Sequence, residues 1–283
     1  MALQWQQYSG KWNLQTQGQA IGAGKWPGFE LVGPGALWGW GYNFKGQLGL
    51  GNTTYAYSSP TQIGALTTWL KIASGYGHSI AIKNDGTLST WGQNTQGQLG
   101  QSTADTANTS SPVQVGALTN WSKIAGGYYH SVAITTGGAL YAWGFNSRGQ
   151  LGDGTVTLRN SPVQIGALTT WSKIITGGYH TLATKTDGTL WIWGYNNRGQ
   201  LGDGTTTTTS SPVQVGALTT WLDVAAGSYG SYATKTDGTL WAWGDNRSGQ
   251  LGQGNTTANS SPVQVGALTT WSKIFTGNYY VFA

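Results

Sequence analysis

One decamer, W-G-x-N-x-x-G-Q-L-G, occurs five times in this 283-residue chain, starting at Trp40, Trp91, Trp143, Trp193 and Trp243. A second string, S-P-x-Q-[IV]-G-A-L-T-x-W, ends at Trp69, Trp121, Trp171, Trp221 and Trp271, and each time runs on into [KD]-[IV]-x-x-G, as at Lys123-Ile124 and Lys173-Ile174. Self-similarity at a period of about fifty residues describes a unit that cannot bury both faces alone and must stack on copies of itself.

Within a unit the local chemistry reads as strands joined by turns. Thr181–Lys185 leads into Thr186-Asp187-Gly188-Thr189, and Asp-Gly between two β-prone runs marks a hairpin, because Gly accepts the positive φ of a tight turn. Leu190-Trp191-Ile192-Trp193 then alternates across the next strand. Gly194 and Gly199-Gln200-Leu201-Gly202 end it, a Thr-rich loop follows, and Pro212 opens the next extended run. No segment of the unit has sustained helical period. About four short strands in about fifty residues is one blade of a β-propeller. The chain ends are complementary: Tyr280-Val281-Phe282-Ala283 matches His180-Thr181-Leu182-Ala183, whereas Gly33–Trp38 matches Thr186–Trp191. The expected fold is therefore an all-β propeller over residues 33–283. It has five blades of about four antiparallel strands and is closed by pairing of N- and C-terminal strands, with an open ring or one completed by another chain as the alternative.

The Trp columns supply the core such a ring needs. Trp40, Trp91, Trp143, Trp193 and Trp243 form one column, and Trp69, Trp121, Trp171, Trp221 and Trp271 another. Both are expected between blades; exposed stacking platforms for sugars or bases are the alternative. Charged residues are only 8 %, but aromatics reach 12 %, so a packed core is affordable in area where a disordered chain would lack it. The net charge is +5, and the 14 Lys and Arg never form a run, which argues against a nucleic-acid tail. With no Cys, disulfides, thiolate metal sites and Cys nucleophiles are excluded. No apolar stretch approaches the ~20 residues of a membrane span, and no signal peptide is evident at Met1–Gly10.

Candidate chemistry is sparse. His78, His130 and His180 share one column, which becomes Gly230 and Tyr280 in the other units; equivalent positions on neighbouring blades should lie too far apart for one ion, so structural hydrogen bonding is expected. Asp85, Asp187 and Asp237 precede Gly in hairpins, and no carboxylate pair stands out for acid–base work. No nucleophile elbow or phosphate-binding loop is present. Asn43, Asn94, Asn146, Asn196 and Asn246 are expected to cap turns. Lys45, Arg148 and Arg198 share a position, with Arg247 one residue earlier and Gln96 in the remaining unit; they are expected either as solvated surface or as a broken basic rim for an anionic ligand. The variable Thr/Ser/Asn loops 53–58, 102–110, 155–160, 205–209 and 255–259 should lie on one side of the ring, where recognition usually resides.

Taken together, W-G-x-N-x-x-G-Q-L-G, S-P, G-x-x-H-[ST]-x-A and D-G-x-L-x-x-W-G resemble the repeat of the regulator of chromosome condensation family. The resemblance runs from about Gly33 to Ala283. It implies a propeller, and the best-known members have seven blades where this chain has five units. The best-known member is also a chromatin-bound nucleotide-exchange factor, whose activity depends on loops with no counterpart here. The near-identical Thr/Ser-rich units are more similar to bacterial and phage versions of the repeat. The leader, with Ser9–Leu14, Gln19-Ala20 and Lys25–Gly28, resembles the openings of some tailed-phage virion proteins.

Residues 1–32 lie outside the repeat yet carry Trp5, Tyr8, Trp12, Leu14, Ile21, Trp26 and Phe29, more aromatic surface than a monomer leaves in water. They are expected to form a docking arm, with a short helix capped by Asn13 from Leu14 to about Ile21, or to fold back onto the propeller. The functional expectation is a non-enzymatic virion protein of a bacterial virus: a capsid decoration, tail or fibre-associated component. It would bind other virion proteins through the arm and a host-surface glycan through the propeller. No cofactor, metal, specific nucleic acid or membrane span is expected, and the location is virion or extracellular. The alternatives are a glycan-binding lectin or adhesin and, less well matched, a nucleotide-exchange factor or chromatin-binding propeller.

Overall fold

The structure, a computed structural model, describes residues 34–102 and 106–283. The arm residues Trp5, Tyr8, Trp12, Leu14, Ile21, Trp26 and Phe29 lie outside the described residues. Every described element is a strand. The first complete blade is β3 (Trp69–Ser74), β4 (His78–Lys83), β5 (Leu88–Gly92) and β6 (Thr109–Gln114), after β1 (Trp38–Tyr42) and β2 (Ala56–Gln62). The second is β7 (Trp121–Gly126), β8 (His130–Thr135), β9 (Leu140–Gly144) and β10 (Arg159–Gln164). The third is β11 (Trp171–Thr176), β12 (His180–Lys185), β13 (Leu190–Gly194) and β14 (Thr209–Gln214). The fourth is β15 (Trp221–Ala226), β16 (Gly230–Lys235), β17 (Leu240–Gly244) and β18 (Asn259–Gln264), and the chain finishes with β19 (Phe275–Thr276) and β20 (Val281–Phe282). Each complete blade is an antiparallel meander in sequence order.

The turns hold for identifiable reasons. Gly188 has φ +77, and a Cβ there would collide with the Thr219 carbonyl oxygen, so this hairpin requires Gly twice over. The Asp187 carboxylate accepts from the Thr189 backbone N–H at 2.9 Å and its hydroxyl at 2.6 Å, and these bonds lower its pKa. Asp85 and Asp237 repeat the arrangement.

The fifth blade is supplied in halves: β1–β2 from the beginning of the repeat region and β19–β20 from its end. By repeat position they are the outer and inner pairs of one blade. Among the described residues the expected closure through pairing of N- and C-terminal strands is not formed: β1 pairs with β2 and β20 with β19, and not with each other. Each half is instead held by its adjacent complete blade. Trp69 N donates to Gly35 O at 3.2 Å and Gly35 N to Trp69 O at 2.9 Å, and Thr276 Oγ1 donates to Ala226 O at 2.9 Å.

Burial follows from this arrangement. Trp91, Trp143, Trp193 and Trp243 are all but inaccessible, and Trp69, Trp121, Trp171 and Trp221 are buried. They pack against strands of the preceding blade, as where Trp171 and Trp193 join Val132, Ile134, Leu140, Leu151 and Ile165. Two expected core positions differ: Trp40 is 60 % exposed and Trp271 only half-buried. Both belong to the divided blade. Trp40 has no blade standing against it. Trp271 keeps the fourth blade beside it, its backbone N–H donating to Gly238 O at 3.2 Å, but lacks the third strand of its own blade, the strand that brings Trp191 and Trp193 against Trp171.

Candidate recognition face

The joint between blades is a hydrogen-bonded unit built from repeated residues. The Gln98 carbonyl accepts from Trp143 Nε1 at 2.9 Å and from the Ser131 hydroxyl at 2.7 Å, both on the next blade. His78 Nε2 lies 2.9 Å from the same Ser131 oxygen. Since that hydroxyl donates its one proton to Gln98, His78 Nε2 is the donor, and its Nδ1 is the bare nitrogen. His130 with Thr181 and His180 with Ser231 repeat the arrangement. Buried Nδ1 atoms have no partner, so burial pushes His78 down to about 4 and His130 and His180 to about 3. These histidines serve the joint. Where Gly230 replaces the histidine, the Tyr232 hydroxyl donates to Gln250 O at 3.1 Å instead.

The asparagine column caps turns, as its position suggests. Asn146 Oδ1 accepts from Leu151 N at 3.0 Å, while Nδ2 donates to Asp153 Oδ1, Thr155 O and Thr157 O. Asn196 repeats this around Asp203 and Thr205. The polar loops at these two units are therefore tied to the ring by a buried amide.

The first strands of the blades, with β19, line an axial channel of about 530 Å³. Glycines form much of its wall: Gly75, Gly127, Gly177, Gly227 and Gly277. Tyr76 and Tyr128 stand at its mouth, edge to face with ring centroids 5.5 Å apart. From there an aromatic series continues around the ring. Tyr128 meets Tyr179 at 5.3 Å, Phe145 lies between Tyr129 and Tyr179 at 6.3 and 6.2 Å, and Tyr195 bridges Tyr179 and Tyr229 at 6.4 and 6.5 Å. Burial and neighbouring phenols raise the pKa of Tyr179 and Tyr229, so these hydroxyls remain neutral donors and acceptors.

One of the basic residues, Arg148, reaches this aromatic series. The Arg148 guanidinium lies over the Tyr195 ring at 4.8 Å. Arg247 pairs with Asp245 at 2.9 Å; burial alone would raise that carboxyl, and the Arg247 hydrogen bonds take it below its usual range. Arg198 also lies within electrostatic reach of Asp245, and Lys45 Nζ sits over Phe44 at 5.2 Å on the divided blade. The rim is thus not a uniform basic ring: Arg148 is held by an aromatic face and Arg247 by a carboxylate. The sequence expectations do not include this aromatic series. Its signal was the Tyr just before the histidine column, at Tyr129, Tyr179 and Tyr229, and the aromatic just after Trp-Gly, at Tyr42, Phe145 and Tyr195.

The Regulator of chromosome condensation (RCC1) repeat matches residues 34–82, 85–134, 137–184, 187–234 and 237–283. Ultraviolet-B receptor UVR8 of Arabidopsis thaliana is 38 % identical over 124 residues, 42 % of this chain and 28 % of the receptor. Human probable E3 ubiquitin-protein ligase HERC3 is 35 % identical over 146 residues, 50 % of this chain but 14 % of the ligase. The chain thus spans a minor part of either relative. Among solved structures, human WBSCR16 superposes with a TM-score of 0.73 at 22 % identity, covering 83 % of this chain and 63 % of the other. Prp20p of Saccharomyces cerevisiae gives 0.57 at 18 % identity, covering 86 % and 77 %. These likenesses establish the propeller.

Proposed function

Because the chain belongs to the Regulator of chromosome condensation (RCC1) repeat family, whose repeat here builds a scaffold with an aromatic mouth, we propose that it is a non-enzymatic structural protein of a bacterial virus particle, a decoration, tail or fibre-associated component that uses this mouth for recognition. The observation that carries the recognition role is the aromatic series that starts at Tyr76 and Tyr128 on the axial channel and runs on through Tyr179 and Tyr195, with Arg148 stacked on Tyr195. Exposed and half-buried aromatic rings concentrated in one place are the usual anchors of a binding surface. The virion assignment is supported by the leader, the near-identical units and the polar loops. Under this reading residues 1–32 dock the propeller on the particle.

The ubiquitin-ligase and light-receptor names of the relatives belong to much longer proteins, and the Gsp1p and histone binding named for Prp20p belongs to that protein. A glycan-binding lectin or adhesin is the second reading, favoured by the same Tyr and Arg pairs, since aromatic faces stack on sugar rings and guanidinium groups bind acidic substituents. The two readings coincide if the ligand is a host-surface glycan.

Virus particles carrying Tyr128→Ala, Tyr179→Ala and Arg148→Ala test the role. Their protein content should be unchanged, while binding to purified host-envelope polysaccharide should fall about tenfold, equivalent to about 1.4 kcal/mol. Unchanged binding removes the mouth from recognition. A chain lacking residues 1–32 should melt cooperatively but be missing from particles; normal incorporation overturns the docking arm.

A further inference from the structure

The internal joints define what the divided blade lacks. In all four, the Trp one residue before the end of the third strand lies on the Gly-Gln-Leu-Gly turn of the preceding unit. Trp91, Trp143, Trp193 and Trp243 Nε1 donate to the carbonyls of Gln47, Gln98, Gln150 and Gln200 at 2.9, 2.9, 3.0 and 2.9 Å. The closing glycine of each turn touches the indole: a Cβ on Gly49, Gly100, Gly152 or Gly202 would come within 2.7, 2.6, 2.6 or 2.6 Å of Nε1.

The fifth joint exists only as separate halves. Trp40 holds the indole position and is exposed. Gly252 holds the glycine position, but a Cβ there would meet only Val265, at 3.3 Å, and no indole. The strand edges match in the same way. In the third blade His180, Thr181, Leu182 and Ala183 pair with Gly194, Trp193, Ile192 and Trp191. Applying that offset sets Tyr280, Val281, Phe282 and Ala283 opposite Gly41, Trp40, Gly39 and Trp38. Each edge also leaves large apolar groups in solvent, Trp38 and Trp40 on one and Phe282, 66 % exposed, on the other.

We propose that this joint forms between two copies of the chain. The edge strand β20 of one copy adds to β1 of the next, giving a shared blade in the order β19-β20-β1-β2, with Trp40 of the second copy seated on Gln250 and Gly252 of the first. Among the described residues of one chain the two halves are paired separately and neither edge has a partner strand, so both edges can receive a second copy. An open strand edge beside exposed aromatics is a template for strand addition. Because the two halves are different surfaces, the contact is heterologous and runs head to tail.

This predicts a complementation experiment on the full chain. Light scattering across a concentration series should show the wild-type mass rising in multiples of the protomer. Trp40→Asp places a charge on one edge and Phe282→Asp on the other, and each variant alone should stay monomeric. Circular dichroism melting should show that the complete blades of both survive. Mixed in equal amounts, the variants still own one intact edge of each kind, so the mass should double and stop at two. A wild-type monomer at every concentration with Trp40 shielded from acrylamide quenching means that the ends close within one chain, and overturns the proposal. So does a wild-type monomer with Trp40 accessible, an oligomer indifferent to both substitutions, or a mixture that stays monomeric.

Discussion

Lowering the pH from 7 to 5 should cost the propeller about 6 kcal/mol of unfolding free energy, about 2 from each of His78, His130 and His180. In the unfolded chain each imidazole takes up a proton near its ordinary value of 6.5; in the folded chain it does so only near 4 for His78 and near 3 for the other two. The unfolded state therefore binds more protons throughout this window, and stability falls as the pH falls. The contribution is complete above about pH 6.5 and declines steadily down to the folded values. The cause is local: Nε2–H is committed to the hydroxyl of the next blade, and a proton on Nδ1 would be buried without an acceptor. Asp85, Asp187 and Asp237 are also held below their usual values, but unfolded carboxylates are already ionised at pH 5, so their effect falls at lower pH. Urea midpoints at pH 7 and 5 measure the loss. His130→Gln, which keeps a donor and removes the titration, should reduce the pH dependence by about 2 kcal/mol. A midpoint that does not move between the two pH values contradicts the assignment of the neutral, Nε2-protonated form.

Trp193→Ala is expected to destabilise the chain by about 3–5 kcal/mol, through lost transfer energy and the cavity left behind. Trp193 is fully buried among Val132, Ile134, Leu140 and Leu151 of the preceding blade and Trp171 of its own, and its indole N–H bonds the Gln150 carbonyl at 3.0 Å. Trp40→Ala, in the same repeat column, should cost less than about 1 kcal/mol in dilute solution, because the exposed indole has little burial to lose. Chemical denaturation of both variants under conditions where the chain is monomeric gives the comparison. Equal losses would show that the divided blade is as well packed as the others.

Why one tryptophan of a column is core and another is surface marks the limit of reading this sequence. The strings around Trp193 and Trp40 are nearly the same, so the repeat specifies strand, face and register for both. Burial, however, belongs to a pair of blades, and a column match does not say whether the second is present. The complementary ends at Phe282 and Trp38 posed the same difficulty: they announce that two surfaces fit without saying whether both come from one chain. The hairpin at Asp187-Gly188 was legible because its cause is local, a carboxylate two residues from its hydroxyl and a glycine with positive φ. The aromatic mouth was not, since Tyr128 meets Tyr179 only through the stacking of successive units. The rim was legible as a column of positions but not as chemistry. Nothing in the spacing of Arg148, Arg198 and Arg247 tells that one lies on Tyr195 and another on Asp245.

The central claim, that the chain is a particle component presenting the aromatic series that begins at its axial channel, is tested most directly by imaging purified virus particles at a resolution that places individual blades. The account predicts propeller density on the particle surface, joined through residues 1–32, with Tyr128 and Tyr179 facing outward. Particles that lack the chain, or that bury this mouth against their own surface, would contradict it.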